Sequence, residues 1–232
     1  MPDTSRRGLL KGVSLLPLAA ASGALALDAG PAPAQEAQPA YQPVFFTADE
    51  WAFLTAACDR LIPSDEVGPG AVELGTVEFI DRHMQTPYAS GAIWYMAGPF
   101  QDSDDPNFGY QGRLTVKEIL RAGIGDTDAW CRANRDGKTF AELSHEEQEA
   151  ILTELQERKI ELPNVPVRYF WQHLLAETRY GYFSDPIHGG NKGMGSWKMI
   201  GYPGMRADFT DWVGVRDKPY PFGPVDLMGR RG

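Results

Sequence analysis

Four histidines, two cysteines and several clustered aspartates are the residues of this chain that could do chemistry. The histidines are scattered. His83 follows Asp81-Arg82 near a predicted helix end, where an imidazolium meets the favourable end of the helix dipole. His145 falls inside a capping sequence and His173 on an aromatic helix, positions that suit surface and packing roles. His188 precedes Gly189-Gly190-Asn191 and stands near Asp185, the one pairing that a small hydrolase could use. Asp59 and Asp65 flank Ile62-Pro63, and Asp102, Asp104 and Asp105 crowd one loop. Oxygen-rich loops can hold Ca²⁺, but the EF-hand spacing, its central glycine and its terminal glutamate are missing. Cys58 and Cys131 are more than 70 residues apart, unlike the close pairs of a metal site. An internal disulfide, a bridge to another subunit and two free buried thiols all remain open.

Phosphate-binding, dinucleotide-binding and zinc-protease motifs are missing from the sequence, as are a nucleophile elbow and a haem attachment site. The expectation is a chain without catalytic residues, metal or cofactor of its own.

The most specific local signal is N-terminal. Ser5-Arg6-Arg7-Gly8-Leu9-Leu10-Lys11 precedes an uncharged apolar run, Gly12 to Leu27, and then Ala32-Pro33-Ala34. The run is short and rich in Ala, Gly and Ser, below the roughly 20 residues of a membrane span. The pattern is that of a twin-arginine export signal over residues 1–34, with Arg6 and Arg7 read by the translocase. Residues 35–44 then read as a linker, 45–180 as a helical domain, and 181–232 as a long irregular segment.

The elements that position these residues follow from caps and periodicity. Thr47-Ala48-Asp49-Glu50 is a capping box opening a helix that Pro63 stops. Further helices are expected over Val72–Met84, Thr115–Asn134, Ser144–Lys159 and Val165–Tyr180, with an apolar stretch over Tyr88–Met96. Gly123 and Gly125 weaken the helix over Thr115–Asn134. The fold class is mainly α, a single helical domain with a Gly/Pro/aromatic-rich C-terminal segment. That segment holds eleven glycines and no sustained periodicity, yet it carries Tyr182, Phe183, Trp197, Tyr202, Phe209, Trp212, Tyr220 and Phe222. Disordered tails lack such aromatics, so the segment is expected to be ordered and to lie along a partner protein.

The net charge is −9, and the signal contributes three basic against two acidic residues, leaving −10 for the rest. So acidic a chain does not suit nucleic acid or an anionic lipid surface.

Two groups of residues resemble the gluconate 2-dehydrogenase subunit 3 family. The first is Asp59-Arg60-Leu61-Ile62-Pro63-Ser64-Asp65 with Pro69-Gly70-Ala71 and Phe79-Ile80-Asp81. The second is Thr178 to Pro186, then Gly189-Gly190-Asn191, Trp197 and Gly201-Tyr202-Pro203-Gly204. The resemblance covers most of residues 45–205. It implies a small, cofactor-free subunit of a membrane-bound sugar or sugar-acid dehydrogenase. In such a complex a large subunit carries FAD and a multihaem subunit carries haem c. The small subunit supports maturation and export of the flavoprotein. The implied location is the periplasm, attached to the inner membrane through the partners. A partner interface is expected at Tyr182, Phe183, Pro186, Gly189, Gly190, Asn191, Trp197, Tyr202, Pro203 and Gly204. A stand-alone exported helical binding protein and a small hydrolase are the alternatives.

Overall fold

A computed structural model describes residues 41–101 and 106–232. The export signal with Arg6 and Arg7, the linker up to residue 40, and Asp102, Asp104 and Asp105 lie outside the described residues. The described part is mainly helical, with no β-strand beyond isolated bridges. Six α-helices follow in order: α1 Ala48–Leu61, α2 Thr76–His83, α3 Val116–Asn134, α4 His145–Gln156, α5 Val167–Phe183 and α6 Gly195–Ile200. None is long and apolar enough to cross a membrane.

Caps fix where the helices begin. Thr47 and Glu50 form the expected capping box on α1, with the Thr47 N–H donating to Glu50 Oε2 at 2.8 Å. Thr115 with Glu118 and Ser144 with Glu147 do the same for α3 and α4. Each reciprocal pair satisfies amide groups that a helix start would otherwise leave unpaired.

Several boundaries differ from expectation. α2 begins at Thr76, not Val72, because Gly75 adopts a left-handed conformation (φ 75°) and residues 71–75 form a turn ahead of it. α4 ends at Gln156 rather than Lys159, and Tyr88–Met96 folds as turns. α5 continues to Phe183, three residues past the expected end.

The core gathers on α5, which packs against α1, α2, α3 and α4. Phe53 on α1 meets Phe140 at 4.7 Å and Phe170 on α5 at 6.3 Å between ring centroids. Leu54, Ala57, Ile80, Leu120, Ile151, Leu155 and Leu174 are fully buried around them. Burial of such side chains is worth about 1.5–3 kcal/mol each.

Three buried aspartates of the helical core are satisfied. Asp81 accepts from the Tyr41 hydroxyl and from the backbone N–H groups of Val44, Phe45 and Phe46 at 2.7–3.0 Å. This single side chain ties the start of the described chain onto α2. Arg121 adds a second tie, donating to the Phe45 carbonyl and to Glu50. Asp128 accepts from the Phe140 N–H, and Asp126 holds Asn164.

Candidate partner interface

The residues after α5 are led back across the helical core by three buried polar side chains. Asn191 is fully buried in a left-handed conformation (φ 46°). Its Oδ1 accepts from the Ser196 N–H and hydroxyl, and its Nδ2 donates to the Ser184 carbonyl. This fastens the start of α6 to the end of α5. Asp185, 8% exposed, accepts from the Ile187 N–H on one oxygen (3.0 Å) and the Leu227 N–H on the other (2.8 Å). Asp226 accepts from the N–H groups of Met228 and Arg230 and pairs with the Arg230 guanidinium. Burial alone would raise the Asp226 carboxyl, but these donors outweigh it and hold it below the usual carboxylate range.

The ten expected interface residues divide under this arrangement. Tyr182 is buried and its hydroxyl donates to the Pro69 carbonyl at 2.8 Å. Trp197 is buried and its indole N–H donates to the Phe183 carbonyl at 2.9 Å. Asn191, Gly189, Gly190 and Gly204 are buried too. A Cβ on Gly190 would lie 2.2 Å from the Gly181 carbonyl oxygen, and one on Gly204 equally close to that of Val225. These six residues pack within the chain itself, against its helices and the C-terminal turn. The reason is close approach: backbone without side chains lies flat on α5 and on the C-terminal turn. Pro186 and Pro203 are half-buried, and Phe183 and Tyr202 remain on the surface.

Phe183 and Tyr202 are joined at the surface by residues the sequence reading did not single out. Ile187, Met199, Ile200, Leu227 and Met228 are all exposed, Leu227 by 57% and Met228 by 72%. The bonds above bring two of them together. Asp185 brings Ile187 and Leu227 to one carboxylate, and the Tyr182 hydroxyl lies 3.6 Å from Met199 Sδ. Trp197 packs edge-on to Tyr202 at 5.1 Å. Beyond them, Phe209, Trp212, Tyr220 and Phe222 pack ring on ring in a loop of their own, and Arg206 lies over the last two. No periodicity marks these positions, so only an Asp-x-Ile and an Asp-Leu-Met hint at them in the sequence.

The other candidate chemistry is structural. Both cysteines are free and fully buried, so the Cys58–Cys131 bridge is not made. Burial pushes both thiols up to about 12. His83 bonds Glu177 through Nδ1 at 2.7 Å and stacks on Tyr88 at 4.7 Å. Glu177 is fully buried, and its Oε1 has no hydrogen-bond partner. Burial, with Glu177 nearby, pushes the Tyr88 phenol up to about 12. His173 lines a hollow of about 370 Å³ with Trp94, Tyr110 and Ile119, and burial lowers its pKa. His188 is exposed, and the Asp185 carboxylate is taken up by backbone N–H groups. Asp59 pairs with Arg60, and Asp65 closes a turn by accepting from Val67 and Gly68. Among the described residues no three His, Cys, Asp or Glu converge as metal ligands.

No curated protein and no solved structure matches this chain. The family model for gluconate 2-dehydrogenase subunit 3 matches residues 48–204, from the start of α1 through the glycine that turns the C-terminal segment. That span is about two thirds of the chain and contains the helical core, Asp81, Asp185 and Asn191. The chain therefore belongs to the gluconate 2-dehydrogenase subunit 3 family, the small-subunit type of a multi-subunit dehydrogenase.

Proposed function

We propose that this chain is the non-catalytic small subunit of a periplasm-facing, membrane-bound, FAD-dependent sugar or sugar-acid dehydrogenase. Its work is to bind the flavoprotein subunit as it matures and to carry it through the twin-arginine translocase. The observation that carries this reading is the exposed apolar face of Phe183, Ile187, Ile200, Tyr202, Leu227 and Met228. Exposed large apolar side chains gathered in one segment suit a binding surface, and family membership says that the chain works as a subunit. The twin-arginine pathway moves folded cargo, and a signal on a chain without a cofactor motif suits a shared passenger. FAD and haem c belong to the partner subunits, and membrane attachment comes through those partners.

The test is cell fractionation with Arg6→Lys and Arg7→Lys together. The expected result is that the large flavoprotein stays in the cytoplasm with the variant and reaches the periplasm with the wild type. Export of the flavoprotein in the variant strain, or recovery of the wild-type chain alone from the periplasm, would overturn the reading.

A further inference from the structure

The charge of this chain is divided along its length in a way the total conceals. Residues 41–185 carry twelve Lys and Arg against twenty-four Asp and Glu, whereas residues 186–232 carry seven against four. Residues 186–232 are thus +3 on a chain of −9. Part of that charge stands beside the apolar face. Arg230 follows Met228 by two residues, and its side chain, paired with Asp226, is 61% exposed. Arg231 bridges Val225 in the next turn. The Lys198 side chain runs alongside, with Cε 3.1 Å from the point a Cβ on Gly232 would occupy.

The centre of the face is held rigidly. Ile187 and Leu227 are 40 residues apart, yet their N–H groups meet on the two oxygens of one carboxylate, Asp185. Hydrogen bonds to a charged acceptor are among the stronger ones. A surface whose side chains are already ordered loses less entropy when it docks.

We propose that the Ile187–Leu227 patch, set by Asp185 and rimmed by Lys198 and Arg231, with Arg230 held on Asp226, is the centre of the docking surface. Its occupant is a protein face with an apolar middle and a rim rich in carboxylates. This rests on the reading of the chain as a docking subunit, and names the chemistry of the surface it meets. An anionic membrane is disfavoured by the neighbouring loop. Asp208, Asp211 and Asp217 stand among Phe209, Trp212 and Val213 and offset Arg206, Arg216 and Lys218, so the aromatic loop offers an anionic surface no net positive charge. Opposite charges around an apolar centre speed encounter and fix orientation, and the effect weakens with salt.

The experiment measures association of the mature chain with the purified large flavoprotein subunit over a range of NaCl concentrations. For Lys198→Glu with Arg231→Glu, the association rate is expected to fall about tenfold at low salt, with a flatter salt dependence. Lys138→Glu, an exposed change on the opposite charge half, leaves the rate unchanged. Leu227→Ser, at a surface position that leaves the fold intact by near-ultraviolet circular dichroism, raises the dissociation rate about tenfold. Asp185→Asn does the same, and its agreement with Leu227→Ser separates loss of the patch from loss of the fold. Unchanged rates in the charge variants and in Leu227→Ser overturn the proposal. So does saturable binding of the wild type to phosphatidylglycerol vesicles that blocks the flavoprotein. Failure of the wild-type chain to bind the flavoprotein at all overturns the underlying subunit reading instead.

Discussion

Gly123 on α3 lies directly against the ring of Phe170 on α5, so that a Cβ on the glycine would fall 2.0 Å from the nearest ring carbon. The two longest helices cross at that point, and the ring is fully buried with Phe53 beyond it. Gly125, two residues on, meets nothing within 4 Å. The same substitution therefore has opposite signs at the two sites. Replacing a helical glycine by alanine favours the helix by about 1 kcal/mol. At Gly125 that gain stands alone, and Gly125→Ala should stabilise by about 0.5–1 kcal/mol. At Gly123 the added methyl must displace a packed ring, which costs about 1–3 kcal/mol, and the net is a loss. Urea denaturation of both variants checks this. A stabilised Gly123→Ala would show that the helices do not meet there.

Asp81 makes the densest set of hydrogen bonds to residues 41–46. Its carboxylate takes three consecutive backbone N–H groups and one hydroxyl. Asp81→Ala leaves the buried N–H group of Phe46 without its acceptor and should cost about 2–3 kcal/mol. Residues 41–46 should then become the first site of proteolysis. Unaltered cleavage at that segment would mean that Arg121 and the core hold it without Asp81.

The two thiols should be inert in the folded chain. Burial pushes Cys58 and Cys131 up to about 12, so the reactive thiolate is scarce at neutral pH. Ellman's reagent should find close to no thiol in the native protein and both thiols in guanidinium. Reducing agent should leave the melting temperature unchanged. A drop in melting temperature on reduction would reveal a bridge.

Two pH windows should be separable in stability. Burial lowers His173 below its ordinary 6.5, so the unfolded chain takes up the proton more readily. Its contribution is complete above 6.5 and is lost as pH falls through the folded value. The slope in that window should flatten in His173→Gln. The second window lies lower. Glu118, Glu142 and Glu147 are held below their ordinary 4.5 by the amides and hydroxyls they cap. Asp226 is held below its ordinary 3.8. Their contribution is present above the ordinary values and is lost as pH falls below them. Chemical denaturation between pH 8 and 3 reads both, and a flat profile from 7 to 5 in the wild type would remove His173 from the account.

Much of this protein is legible without coordinates. The capping boxes at Thr47 and Ser144 declare helix starts because the interaction spans only three residues and needs no tertiary partner. The apolar spacing of α1 and α3 declares their buried faces for the same reason. The ordered run from Asp59 to Asp81 and from Thr178 to Gly204 sufficed to indicate the family. The C-terminal surface was not legible, because its order depends on contacts between residues far apart in the chain. Asp185 reaches Leu227 across 42 positions, Asp81 reaches Phe46 across 35, and Tyr182 reaches Pro69 across 113. A tyrosine or tryptophan in a glycine-rich stretch has the same composition whether it faces inward or outward. Tertiary packing alone decided that Tyr182 and Trp197 turn in while Ile187 and Leu227 turn out, since a glycine allows close approach only where another backbone is present to approach.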